Sequence, residues 1–179
     1  MNVYRLPVYI VLEIPPPVRE AIQAIRDSLA TPTARLPVEI TVAGSSGIGP
    51  IPPGANQHET ETRLTGALAG LTPFRARFQE IRRFPSTDIF YLAPADRQPF
   101  DRIHEALKAS GIPFAPSPWP YNPHCTLRGG PLSDQASANS ILSFSFPREE
   151  FVIDILSLYE LDPRNQTCRA VFQAKLSDK

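Results

Sequence analysis

Apolar and β-branched positions run almost unbroken from Val3 to Ile14, centred on Val8-Tyr9-Ile10-Val11-Leu12, and predict a buried strand. Pro15-Pro16-Pro17 ends it and pre-sets φ for a helix start. Val18, Ala21, Ile22, Ile25 and Leu29 then recur at helical spacing, with Arg19, Glu20, Arg26 and Asp27 elsewhere on the wheel, so an amphipathic helix is expected to end before Pro32. Val38 to Gly44 predicts a second strand, and Ser45 to Asn56 a loop rich in Gly, Ser and Pro. Gln57 to Leu71 carries Leu64, Leu68 and Leu71 on one helical face. Phe74 to Phe84 alternates as a half-buried strand, turns at Pro85-Ser86-Thr87-Asp88 and returns through Ile89 to Ala93, predicting a hairpin. A third helix spans Arg97 to Ser110, with Phe100, Ile103 and Leu107 inward. Pro113 to Pro123 is a rigid Pro/aromatic loop leading to a short strand at His124. Leu132 to Leu142 predicts a short helix, and Glu150 to Leu161 and Cys168 to Leu176 two closing strands.

The elements repeat. Strand, helix and a strand carrying Glu39-Ile40-Thr41 make one half; strand, helix and a strand carrying His124-Cys125-Thr126 make the other. The expected fold is α+β, two pseudo-symmetric lobes of antiparallel or mixed sheet with outer helices around a central groove. The lobes of this single bilobal domain, 1–179, would be 1–72 plus a closing strand, and 73–179, with the two triplets facing each other.

Composition narrows the function classes. A chain of 179 residues, 42% hydrophobic and 20% charged, is sized for a globular domain. Lys+Arg and Asp+Glu are both 18, and a zero balance argues against tight salt-driven binding of a long nucleic acid. It leaves room for a small phosphodiester or an RNA end. Cys125 and Cys168 make no disulfide framework, and the start lacks a signal-peptide pattern, so a cytoplasmic protein is expected; a monomer is the default expectation. No apolar run is long enough to span a membrane. Three scattered histidines and two cysteines lack metal-ligand spacing, and neither a metal nor a cofactor is expected.

Tyr121-Asn122-Pro123-His124-Cys125-Thr126-Leu127-Arg128-Gly129-Gly130 carries the chemistry. Period-two alternation puts His124 and Thr126 on one face of a strand and Cys125 and Leu127 on the other. An imidazole, a hydroxyl and the Arg128 cation suit a phosphodiester, although His124 alone could equally be a structural histidine. Trp119 and Tyr121 could stack on a base or only pack the loop.

Pro123-His124-Cys125-Thr126-Leu127-Arg128 resembles the motif of the two-histidine phosphoesterase superfamily, which includes 2′-5′ RNA ligases and cyclic nucleotide phosphodiesterases. That motif is His, any residue, Thr or Ser, then an apolar residue, occurring twice. The resemblance implies metal-free hydrolysis of a 2′,3′-cyclic phosphate or a 2′-5′ linkage, with no covalent intermediate. It implies that His124 transfers a proton and that Thr126 and Thr41 hold phosphate oxygens; Arg128, a phosphate clamp by its charge, and Tyr121, Trp119 and Arg5 along the groove are the substrate contacts that the residues themselves offer. Where the other histidine would stand the sequence has Glu39. An ionised Glu39 about 4 Å from a phosphate oxygen would be repelled by roughly 4 kcal/mol at an effective dielectric near 20. It escapes that penalty if protonated, as a general acid, or if neutralised by Arg128, Arg5 or another cation. Otherwise the fold would bind nucleotides without turning them over.

Overall fold

A computed structural model describes residues 2–177. Met1, Asp178 and Lys179, the extremes of the expected 1–179 domain, lie outside the described residues. Strand β1 (Val8–Glu13) is central in a four-stranded antiparallel sheet of order β2 (Glu39–Ala43), β1, β8 (Ile155–Asp162), β9 (Thr167–Lys175). A second sheet is the antiparallel order β4 (Phe78–Arg83), β5 (Phe90–Pro94), β6 (Cys125–Arg128). Strands β3 (Phe74–Ala76) and β7 (Phe151–Ile153) form a separate two-stranded ribbon. Helices α1 (Val18–Leu29), α2 (Gln57–Leu68), α3 (Gln98–Lys108) and α4 (Gln135–Leu142) complete an α+β fold.

Three expected strands change, the first at a residue whose chemistry explains it. The first begins at Val8 rather than Val3, because Pro7 has no N–H for the ladder and the preceding residues bridge to the 51–56 loop instead. The expected 74–84 strand divides at Arg77: Phe74–Ala76 pairs with β7, and Phe78 onward pairs with β5. The expected 150–161 strand divides at Asp154, where the chain leaves β3 for β1 and β9. Alternation survives a change of partner, so a period-two pattern does not reveal one.

The buried faces of both larger sheets enter one core. Ile10, Leu12, Ile40 and Val42 meet Phe90, Leu92, Cys125 and Leu127, with Ile22, Phe100 and Ile103 covering them from the helices. Helix packing is crossed between the two larger sheets: α1, which follows β1, lies against β6, and α3, which follows β5, lies against β2. Arg26 is a correction to the sequence reading. Positions 18, 22 and 26 form the buried stripe of α1, and Arg26 is only 1% exposed. Among the described residues no helix is long and apolar enough to cross a membrane.

Candidate active site

Strands β2 and β6 are edge strands of different sheets and lie against each other. On β2, half-buried Glu39 and Thr41 alternate with buried Ile40 and Val42; around β6, half-buried His124 and Thr126 alternate with buried Cys125 and Leu127. All four buried side chains belong to the same core. The four half-buried ones therefore lie on the other side of both strands, as the alternation required.

His124 sits just ahead of β6, with Phe84 at 5.0 Å and Tyr91 at 5.3 Å between ring centroids, both edge-on. Its Nδ1 lies 2.6 Å from the carbonyl oxygen of Asn122. A carbonyl only accepts, so Nδ1 carries the hydrogen and Nε2 keeps its lone pair. Burial lowers the His124 pKa from its ordinary value, against a smaller opposing pull from the Asn122 carbonyl. Phe84 and Tyr91 give no motif signal; only the hairpin's position before β6 could have suggested them.

Glu39 faces a different surrounding. Its carboxylate accepts from Thr41 Oγ1 at 3.1 Å through each oxygen. Burial raises its pKa from 4.5 to about 7, against smaller opposing effects of the Arg26 charge and the Thr41 hydrogen bond. Directly across the ladder stands Glu13, whose Oε1 accepts from Ser157 Oγ at 2.5 Å and Gln173 Nε2 at 2.7 Å. Glu13, Glu39 and Tyr159, with Arg19, Glu20 and Gln23 of α1, line a cavity of about 270 Å³.

Arg26 reaches these strands from the core side. Its Nε donates to the Thr126 carbonyl at 2.8 Å, and its Nη1 to the Leu36 and Pro37 carbonyls at 2.9 Å each. Nη2 lies 3.8 Å from Cys125 Sγ, a buried thiol whose pKa burial pushes up to about 11. Losing the guanidinium would leave three carbonyls short of donors, at about 1–3 kcal/mol each if water cannot replace it. The i, i+4, i+8 spacing of Val18, Ile22 and Arg26 is the signal that places it inward.

The other expected site residues divide. Arg5 does not reach the triplets. Its backbone N–H donates to Glu160, which pairs with Val8 at the far end of β1 from the Glu13–Glu39 pair, about 17 Å along the strand. A larger cavity, about 490 Å³, lies there between Arg5, Arg169, Asn2, Val3 and Gln57, and no triplet residue lines it. One face of the Tyr121 ring is covered by His104, with ring centroids 3.8 Å apart and an interplanar angle of 4°. His104 is itself held by Nδ1 donating to the Val42 carbonyl at 2.8 Å. Gly47, at φ +72°, allows this packing, since a Cβ there would overlap the His104 ring. Trp119 is 68% exposed, while its carbonyl accepts from Gly47 N at 2.7 Å. Arg128 points back over its own loop, Nη1 donating to Gly130 O at 2.6 Å and Nη2 to Pro131 O at 2.8 Å.

A sequence profile described as the 2′-5′ RNA ligase superfamily matches residues 14–165. The chain belongs to that family, within the two-histidine phosphoesterases. The fold agrees with solved structures. TT0787 of Thermus thermophilus superposes with a TM-score of 0.67 at 19% identity, covering 96% of this chain and 98% of that one. E. coli LigT in apo form superposes at 0.60 with 16% identity, over 97% and 99% of the two chains. E. coli LigT complexed with 3′-AMP also gives 0.60, at 17% identity over 98% and 99%. No curated protein matches the chain.

Proposed function

We propose that this family member is a metal-independent phosphodiesterase for 2′,3′-cyclic phosphate or 2′-5′-linked nucleotides and RNA ends, with Glu39 standing where the family's first histidine would be. The observation that carries this is the pairing of two half-buried strand faces, Glu39/Thr41 and His124/Thr126, on abutting edges above one core. Small nucleotides suit such a site, and structures of E. coli LigT include complexes with 3′-AMP and with ATP.

Burial gives the two lead residues complementary proton states near neutrality. Burial holds a proton on Glu39 up to about pH 7 and keeps His124 neutral there. In hydrolysis of a cyclic phosphate, His124 Nε2 takes a proton from water as its oxygen attacks phosphorus. The bond from phosphorus to one ribose oxygen breaks, and Glu39 protonates that oxygen. Solvent then moves the proton from the imidazolium to the carboxylate. Thr126 donates to one non-bridging oxygen, Thr41 to the other once its hydroxyl proton turns away from Glu39, and Trp119 offers its exposed ring to a base. Arg128 would clamp the phosphate by turning away from Gly130 and Pro131.

A second reading has its own support. Glu13 directly opposite Glu39 adds negative charge to the floor, which favours a module that binds weakly without turnover. Hydrolysis of adenosine 2′,3′-cyclic phosphate separates the two. Turnover by the wild type, abolished in His124→Ala, supports the enzyme. Binding without product, followed by large turnover in Glu39→His, identifies a disabled relative.

A further inference from the structure

Each half of the molecule braces the triplet strand of the other with one buried polar side chain from its helix. Arg26 of α1 donates to the Thr126 carbonyl on β6 and, with Nη1, holds Leu36 and Pro37 at the approach to β2. His104 of α3 donates to the Val42 carbonyl on β2, and its ring is clamped between Gly47 and Tyr121 of the two loops that flank the triplets. Both residues are at least 96% buried, Arg26 at 1% and His104 at 4% exposure. Neither shares the half-buried faces of Glu39, Thr41, His124 and Thr126, so neither can touch a ligand held there.

The choice of these side chains is informative. Strands β2 and β6 belong to different sheets, so no backbone ladder fixes their separation. A guanidinium offers five donors in a rigid fork and can hold β6 and the approach to β2 at once, which an ammonium on a flexible stem cannot reproduce. Glu39 lies two residues beyond the Pro37 carbonyl that Arg26 holds, and the guanidinium is the charge that opposes its burial. The other titratable or charged groups around Glu39 are Glu13 from β1, Tyr159 from β8, Cys168 from β9, Arg19 and Glu20 from α1, Cys125 from β6 and Tyr121 from the preceding loop.

We propose that Arg26 and His104 are reciprocal positioning residues, whose crossed hydrogen bonds set the spacing of β2 and β6 so that both triplets meet one ligand. The proposal deepens the functional reading above and rests on it for the ligand alone. Four variants of the full chain test it: Arg26→Lys, Arg26→Met, His104→Asn and His104→Leu. With adenosine 2′,3′-cyclic phosphate, Arg26→Lys and His104→Leu should lose about 100-fold in kcat with little change in KM, as expected for reacting groups displaced by an ångström or so. His104→Asn, which keeps an amide donor near the lost Nδ1, should recover most of the loss. In carboxyl-detected NMR, Arg26→Met should raise the Glu39 titration midpoint by about one unit, because it removes the opposing cation. Arg26→Lys should raise it less.

Wild-type kcat in Arg26→Lys and His104→Leu, with the Glu39 midpoint unmoved in Arg26→Met, would overturn the proposal. If the unaltered protein turns over no phosphodiester, the functional reading fails and crystal structures of Arg26→Lys and His104→Leu decide: a changed β2–β6 separation supports the proposal, and an unchanged one overturns it. If the Arg26 variants do not fold, the wild-type Arg26 Nε–H signal decides: slow exchange with water supports the brace, and free exchange overturns it.

Discussion

The Glu39-Ile40-Thr41 strand and the His124-Cys125-Thr126 strand obey the same alternation and bury their middle residues in the same core, yet their lead residues answer burial with opposite sign. Desolvation penalises whichever form is charged. It therefore keeps a proton on a carboxyl and takes one off an imidazole. Burial thus favours a protonated Glu39 and a neutral His124 on two abutting strands. The same arrangement with two histidines would need one of them held protonated against desolvation. A carboxyl in the acid's place meets that requirement by burial alone, but only up to the pH at which it ionises.

That contrast can be broken from either side. His124→Ala should have the largest effect, a loss of about 10³-fold in kcat/KM for adenosine 2′,3′-cyclic phosphate, within the range for a general base. Turnover that survives the change would remove His124 from the mechanism. Glu39→Gln keeps the shape but has no proton to give, and should cost about 10²-fold. The wild-type pH–rate profile should be a narrow bell: activity falls at low pH as His124 gains a proton, below its ordinary 6.5, and at high pH as Glu39 loses one near 7. Glu39→Gln should lose the alkaline limb and keep the acidic one.

Stability offers a smaller, independent measure. The folded-state pKa of Glu39, about 7, lies above its ordinary 4.5, so folding favours the protonated form. The associated stability is fully present below about pH 4.5 and is lost as pH rises through about 7, by at most about 3 kcal/mol and less as solvent reaches the half-buried carboxylate. Denaturant unfolding at pH 5 and pH 8 should show the wild type losing stability relative to Glu39→Gln; parallel curves would refute a buried acid. The smallest effect is expected from Trp119→Ala: about tenfold weaker nucleotide binding by calorimetry with kcat unchanged, consistent with loss of one stacking contact. Equal binding would leave Trp119 as surface.

Much of this is legible in the residue pattern. Helical spacing locates α1 to α4 to within a few residues, and alternation locates the two triplets and the β4–β5 hairpin. What escapes the pattern depends on partners distant in sequence. Charge alone puts Arg26 outside α1, although its spacing from Val18 and Ile22 puts it inward; its acceptor on β6 supplies the reason. His104 covers one face of Tyr121, a contact between a helix and a loop that no local pattern encodes. Arg5 groups with the groove by its nearness to β1 in sequence, but the strand carries it to the opposite end. The divisions at Arg77 and Asp154 are invisible because neighbours change while the pleat does not.

The position of β8 between β1 and β9 has a consequence for how the protein is made. β1, near the start of the chain, has β8, near its end, as one of its two ladder partners, so the sheet that presents Glu39 is incomplete while the intervening segments emerge. Such long-range pairing defers the reward for loop closure, and folding should be slow, with one late cooperative step rather than half by half. A nascent chain stopped short of Ile155 would expose one whole side of β1 as an open edge, ready to join another chain.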